Sequence, residues 1–387
     1  MDIMQVTDRK SEREFFQLPR FIYADDPNWI PHLVQDEKKV FDPKKNKVFR
    51  HGTAVRWILK DDTGKTIGRI AAFVNKKYSK SMKQPTGGVG FFECINDQKA
   101  AALLFDTAKK WLEEKDMEAM DGPINFGEKN MFWGLLIENF TDPNSYGMNY
   151  HPPYYKELLE EYGFKVYYNQ LVYKRDLKLP AQEIFVRKYR ALMADPEYSV
   201  GDIRGKDLDT VAEDFRTVYN NAWAGAHGFK DMSSLQAKKV MQSLKPVIDK
   251  KFVIFAYHKG KPIAFYVNIP ELNEIFKHVN GNLNWWGKLI FLYHKLKKTP
   301  STMVGIVFGV DRAYHGKGVE GALIAWAGEF LVPNTNYSET ILTWIGDFNP
   351  KMMHVAENLG AEVFRTLATY RFLFDREKPF ERIPVNK

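Results

Sequence analysis

The sequence predicts an α/β chain of two similar halves, each a mixed, mostly antiparallel sheet flanked by helices. The first observation behind this is a repeat of element order: hairpin, strand, helix, strand, helix and a closing alternating segment occur before residue 180 and again after residue 200. The second is length, since 387 residues exceed one ordinary core and suit two domains of about 150 to 200 residues. The third is composition: 44% hydrophobic and 27% charged residues describe a folded chain rather than a disordered one. The halves divide into domains 1–179 and 180–387.

In the first half, VRWILK and TIGRIAAFV alternate around Asp61-Asp62-Thr63-Gly64-Lys65 and predict a hairpin over 55–74. GVGFFECI follows as a strand. Ala101, Leu104, Phe105, Ala108, Trp111 and Leu112 then recur at helical spacing, with Asp97 placed as the N-cap. MEAMDGP predicts a strand, YYKELLEEY a helix stopped by Gly163, and GFKVYYNQLVYKRDL a closing pair of strands. In the second half, 208–223 reads as a helix and FVIFAYHKGKPIAFYVNI as a hairpin turning at Lys259-Gly260-Lys261. MVGIVFGV is a strand, GALIAWAGEFL a helix, TILTWIG a strand and MMHVAENL a helix ended by Gly360, and AEVFRTLATYRFLF closes the alternation.

Composition excludes several classes. Cys94 is the only cysteine, so an intrachain disulfide and a thiolate metal cage are both out, and no metal is expected. The start, MDIMQVTDRK, lacks the apolar core of a secretory signal, and no run reaches the roughly 18 apolar residues of a membrane span. A cytoplasmic protein is expected, with any membrane contact peripheral, at the inner membrane. The net charge of +8, from 56 Lys and Arg against 48 Asp and Glu, is spread along the chain. It favours an anionic cofactor, an acidic substrate or an anionic membrane surface. Without a zinc finger, an RNP signature or an Arg-rich arm, nucleic acid is not an expected partner.

The most informative segment joins MVGIVFGV to the next helix through Asp311-Arg312-Ala313-Tyr314-His315-Gly316-Lys317-Gly318-Val319-Glu320-Gly321. A glycine-bearing turn from strand to helix leaves the first helical N–H groups open at the positive end of the helix dipole, which suits an anion. Arg312, His315 and Lys317 would add charge. Glycines that serve only the turn are the plainer alternative.

Placed after a hairpin and followed by a strand ending near Trp344, by Asn349 and by a helix closing at Gly360, this turn resembles that of the GNAT (Gcn5-related N-acetyltransferase) superfamily. DPNWIPHL, IGRIAAFVN, GFFECIND, DGPINF and NYHPPYYKELLEEYGF, with VYNNAW, GVDRAYHGKGV and NPKMMHVAENLGAEVFRTLATYRF, resemble bacterial double-GNAT proteins over most of the chain. The resemblance reaches toward bacterial ceramide synthase-type N-acyltransferases. It implies two tandem GNAT domains, with acetyl-CoA or a longer acyl-CoA bound by the C-terminal one and an acyl group moved to an amine-bearing small molecule or lipid. In the family the turn reads Arg or Gln, two residues, Gly, one residue, Gly or Ala. Here His315 takes the first place and Gly318 the fourth, while Glu320 stands where a small residue is usual and Gly321 follows it.

The resemblance thus implies a cofactor set of Phe308, Gly309 and Val310 on the strand, whose backbone also faces the oxyanion. Arg312, His315, Gly316, Lys317, Gly318, Val319 and Gly321 would surround the pyrophosphate, with Asn349 at the cofactor arm. The family's tyrosine acid would fall at Ala356. Asp347, His227, Glu271 and Tyr370 remain as candidate acids and bases. Each also has a plain reading, as turn aspartate, loop histidine, hairpin-end carboxylate and core tyrosine, and direct attack would need only positioning.

In the first half, residues 96–102 contain no glycine where this turn should be. That half is therefore expected not to bind coenzyme A and to close the acceptor cleft, with 121–149, and in it Glu128, Trp133 and Asn149, as the stretch to face that cleft; the plainer alternative is that Trp133 and the Tyr154-Tyr155 pair are core aromatics. An acyl-CoA or lipid-binding protein without catalysis, on the same scaffold, is the alternative. The insert 273–302 carries NWWGKLIFLYHKLKK, with Trp285, Trp286, Leu289, Leu292, Tyr293 and Leu296 expected on one helical face and Lys288, Lys295 and Lys298 on the other. Residues 284–298 read either as a membrane-surface contact or as an amphipathic helix packed on the domain or on a partner subunit.

Overall fold

The hairpins that the alternation predicts are present in the computed structural model, which describes residues 1–180, 182–223 and 230–385. The first half runs β1 (Asp2–Gln5), α1 (Arg9–Ile22), α2 (Val34–Val40), β2 (Gly52–Lys60), β3 (Thr66–Asn75), α3 (Lys76–Lys80), β4 (Thr86–Cys94), α4 (Gln98–Glu113), β5 (Ala119–Gly122), β6 (Leu135–Glu138), α5 (Tyr154–Tyr162) and β7 (Lys165–Asp176). The second runs α6 (Glu183–Met193), β8 (Tyr198–Asp202), α7 (Leu208–Trp223), α8 (Ser234–Leu244), β9 (Val253–His258), β10 (Lys261–Pro270), α9 (Asn273–Phe276), α10 (Trp285–Leu296), β11 (Thr302–Val310), α11 (Val319–Trp326), β12 (Glu339–Gly346), α12 (Pro350–Asn358) and β13 (Glu362–Leu373). The division at 179/180 falls in the connection between β7 and α6.

Among the described residues, thirteen strands form one sheet, in the order β1-β2-β3-β4-β5-β13-β7-β12-β11-β10-β9-β8, with β6 paired to β13. Only β4 with β5 and β11 with β12 pair in parallel, so the sheet is mixed and mostly antiparallel. The last strand of each half lies in the other half's portion: β7 pairs with β12, and β13 pairs with β5. GFKVYYNQLVYKRDL is thus one strand of 12 residues and not a pair. No turn residue interrupts it, and neighbours on both edges keep it extended.

The exchanged strand is anchored by charge. Arg371 of β13 donates from Nε to Asp121 Oδ1 at 2.6 Å and from Nη2 to Oδ2 at 2.8 Å, with both side chains buried. A bidentate pair of this kind gives direction as well as energy. In the second half, α7 and α8 cover one face of the sheet through Phe215, Val218 and Met241. On the other face α11 packs Val319 and Leu323 against Ile254 and Ala264. Beyond Trp326 the helix widens into a π turn over Ala327–Leu331.

Candidate cofactor cleft

The cleft begins where two strands part. β11 and β12 stay in register from Thr302↔Glu339 to Gly305↔Leu342 and no further. Just past that point the pairing of β10 with β11 steps from Val307 to Gly305, leaving Ile306 as an extra residue, and the pairing of β12 with β7 shifts between Leu342 and Ile345. A bulge in each strand bends it away from its neighbour and frees ladder groups. The opening is a cavity of about 290 Å³, bounded by Gly305 to Phe308, by Thr343 to Gly346, by the α12 residues Met352, Val355 and Ala356 and by Leu359 at its C-cap.

At the far end of β11 the chain makes the predicted turn. Gly316 and Gly318 have φ of 76° and 83°, a left-handed conformation that costs an ordinary L-residue roughly 1 to 2 kcal/mol. Gly318 is the N-cap of α11 and carries no side chain to cap it, so the first N–H groups of the helix are left to an external acceptor. Arg312 Nε donates to Ala222 O at 3.3 Å, His315 Nε2 reaches Val310 O at 3.1 Å, and the Lys317 ammonium lies 4.8 Å from the Tyr314 ring. The Tyr314 hydroxyl is in turn held by His258 Nδ1 at 2.8 Å. A further cation comes from α6: the Lys188 stem lies 3.4 Å from where a Cβ on Gly318 would stand. At Gly321 a Cβ would meet Phe185 at 2.8 Å, so the missing side chain lets α6 close on α11.

Behind the splay the space continues. A second cavity of about 650 Å³ shares Tyr266, Ile324, Leu342 and Leu359 with the first, so the two adjoin across these side chains. It runs on past Phe252, Met303 and Tyr337, and the π turn lines it with Ala327, Gly328 and Leu331. A π turn inside a helix often marks a functional site, since it widens the wall locally. Tyr266 stands at the waist, its hydroxyl 3.3 Å from where a Gly305 side chain would begin, at the last paired position of the splay. Burial pushes this phenol above its usual range, so it is a neutral donor.

The structure gathers only part of the expected site. Phe308 lines the cavity, but Gly309 and Val310 do not. The side of Gly309 faces Trp223 and Phe265, and the unpaired backbone lies at Ile306 instead. Asn349 lines the cavity while its Oδ1 accepts from Met352 N as the α12 cap. Asp347 follows the lining residue Gly346 but does not itself line the cavity, and its carboxylate is bound to Arg382 Nη2 at 2.5 Å. Tyr370 is far from the cleft, in the core of the first half, with its hydroxyl on Glu160 at 2.9 Å. Glu271 is buried where the halves meet, accepting from Tyr146 N at 2.9 Å and Asn273 N at 2.8 Å, and burial pushes its carboxyl up to about 7. It lies at the Thr302 end of β11, away from the splay. His227 lies outside the described residues. Ala356 does occupy the α12 wall, so that wall is apolar.

Lys188, Tyr266 and Ile306 were not among the expected residues. Strand alternation would place Tyr266 on the face of Ala264, but α6 carries no signal that would bring Lys188 to the turn.

The first half has the same framework, filled. β4 and β5 part after Gly88↔Asp121, and β4 bulges opposite β3 between Gly90 and Glu93. The chain after β5 then folds back into the gap: Ile124 N donates to Val89 O at 2.8 Å, and a Cβ on Gly90 would stand 1.9 Å from Ile124 O. What space remains is about 30 Å³. Trp133 is 4% exposed, its Nε1 held by Tyr168 and Thr369, and Asn149 Nδ2 donates to Gly134 O. Residues 121–149 therefore plug their own half's gap rather than present Trp133 and Asn149 to a shared cleft.

Two tandem units, each with a parallel pair of strands that bulge apart and a strand-to-helix turn, define the tandem GNAT fold, and the chain has that fold. Among solved structures, a tandem GNAT protein from the clavulanic acid biosynthesis pathway superposes with a TM-score of 0.54 at 11% identity, over 97% of this chain and 99% of that one. The GCN5-related glucosamine N-acetyltransferase region of a fungal multi-domain GH3 β-N-acetylglucosaminidase gives 0.52 at 13% identity, over 96% of this chain and 38% of that one. No protein-family model matches the chain. In sequence it is similar to the bacterial ceramide synthase of Caulobacter vibrioides (strain NA1000 / CB15N), at 27% identity over 371 residues, 92% of this chain and 94% of the relative. It is also similar to protein YghO of Escherichia coli (strain K12), at 25% identity over 370 residues, 92% of each chain.

Proposed function

We propose that this protein is an N-acyltransferase that takes a long acyl chain from acyl-CoA and joins it to an amine. The observation that carries this is the pair of adjoining cavities that meet at Tyr266, which together would make one acyl channel from the splay of β11 and β12 to the π turn. An acetyl group would need none of its second chamber. The uncapped N–H groups of α11, with Lys188 and Lys317 nearby, suit the pyrophosphate, and the splay suits the pantetheine arm. This assigns acyl-CoA binding to the second half and leaves the first half as a closed partner.

At the thioester, the freed backbone near Ile306 and the Tyr266 hydroxyl would donate to the oxyanion as the amine attacks. The new C–N bond forms, the C–S bond breaks, and the proton lost by nitrogen ends on sulfur through solvent. The apolar α12 wall keeps water from competing. The likeness to a relative named bacterial ceramide synthase supports a long-chain amine as acceptor.

Calorimetric titration with CoA thioesters of rising length tests the reading. Each methylene that enters the channel should add about 0.8 kcal/mol, roughly a fourfold gain in affinity, until the channel is full. Adding a long-chain amine should then release free thiol. Length-dependent binding without thiol release would favour a binding protein on this scaffold, which the alanine at 356 also fits. An affinity that ignores chain length would remove the channel from the account.

A further inference from the structure

A surface helix normally turns its apolar stripe inward, and α10 does the reverse. Its inward side is Gly287, Ile290, Phe291 and His294: Ile290 and Phe291 pack against Leu272 and Phe276, and His294 stacks on His278 at 4.1 Å. Gly287 lets the helix close on Asn282, since a Cβ there would stand 2.3 Å from Asn282 O. Outward stand Trp285, Leu289, Leu292 and Leu296, at 66%, 42%, 50% and 74% exposed, flanked by Trp286 at 68% and Tyr293 at 52%. With an outer pole made of tryptophan and leucine, the sequence alternative of a helix packed on its domain through these residues does not hold.

The charge around this face has one sign. No Asp or Glu occurs between Glu274 and Asp311, while Lys277, Lys288, Lys295, Lys297 and Lys298 do. Lys288 and Lys295 border the outer stripe on the side away from Trp286. Next to the helix, a groove of about 760 Å³ adds Lys250 and Lys251 to Lys295, Lys297 and Lys298, with Asp249 the acidic residue in its lining. That groove shares Pro333, Thr335, Asn336 and Tyr337 with the second cavity of the cleft. No helix among the described residues is long and apolar enough to cross a membrane, and α10 has the make-up of one that lies in an interface instead.

We infer that α10 seats this protein on an anionic bilayer, with Trp285, Trp286 and the three leucines in the acyl boundary and the lysines on the lipid phosphates. The inference does not depend on acyl transfer, because its readout is binding.

Flotation of the full chain with vesicles tests it. Vesicles of phosphatidylcholine mixed with phosphatidylglycerol should carry the protein, and vesicles of phosphatidylcholine alone should carry far less. Removing charge with Lys288→Ala and Lys297→Ala should weaken partitioning about fivefold for each lysine. Combining Trp286→Ser, Leu289→Ser and Leu296→Ser should abolish flotation, with an unchanged melting temperature showing that these exposed positions do not hold the fold. Failure of the wild-type chain to float with anionic vesicles would overturn the inference, as would equal flotation of the serine variant. A dimer in sedimentation that the serine variant breaks, without flotation, would assign the face to a second copy of the chain instead.

Discussion

At the start of α4 the Asp97 carboxylate accepts from Lys99 N and Ala100 N at 2.8 and 3.0 Å, whereas at the start of α11 Gly318 offers no such group. One helix satisfies its own N-terminus with a negative charge, and the other leaves its positive end open. The strands repeat the contrast, since the gap after Gly88 is occupied by the Ile124 backbone and the gap after Gly305 holds a cavity. Two copies of one architecture thus differ in function-bearing space through a cap residue and the path of one loop. Topology alone would have credited both.

The largest effect on this comparison should come from the strand that the halves share. Replacing Arg371 with Met leaves the buried Asp121 without its counter-ion, with only the Tyr78 hydroxyl still donating to it, which costs about 3 to 5 kcal/mol. Because β13 pairs with both β5 and β7, urea unfolding should move to lower denaturant as a single transition. A separate early transition of one half would show that the halves are independent.

Next is the carboxyl where the halves meet. Glu271 ionises near 7 when folded, against about 4.5 when unfolded. Between these values the folded state holds more protons, so stability falls as pH rises from 4.5 to 7, and the loss is complete above 7. Glu271→Gln removes this dependence. It should therefore stabilise the protein on the order of 3 kcal/mol at pH 8 and leave little difference at pH 4.5, read from melting temperatures across that range. Equal shifts at both ends would mean that the carboxyl is not held neutral.

Gly318→Asp transplants the cap of the first half into the second. Aspartate tolerates the left-handed backbone better than most residues, and its carboxylate would occupy the N–H groups assigned to pyrophosphate. Affinity for CoA thioesters should fall about thirty- to hundredfold, the worth of one charged hydrogen bond, with the melting temperature little changed. Unaltered affinity would move the phosphate site elsewhere.

These features were unequally legible in the sequence. The Asp97 cap and the glycine turn could be read because a helix N-terminus is specified within a few residues. The strand exchange could not, since GFKVYYNQLVYKRDL and AEVFRTLATYRFLF alternate alike and neither names its neighbour. Met352, Val355 and Leu359 look the same in sequence whether they fill a core or line a channel. Glu271 owes its burial and its Tyr146 partner to the opposite half, and Tyr370 was drawn to the cleft by sequence position although β13 crosses to the first half.

The most direct measurement is a structure determined with a non-hydrolysable long-chain acyl-CoA analogue. The pyrophosphate should lie on the first N–H groups of α11, from Val319 to Gly321, the arm between β11 and β12, and the acyl chain past Tyr266 toward Leu331, with the gap beside Ile124 unchanged. A ligand seated at the start of α4, or an acyl chain that turns away from Tyr266, would contradict this placement.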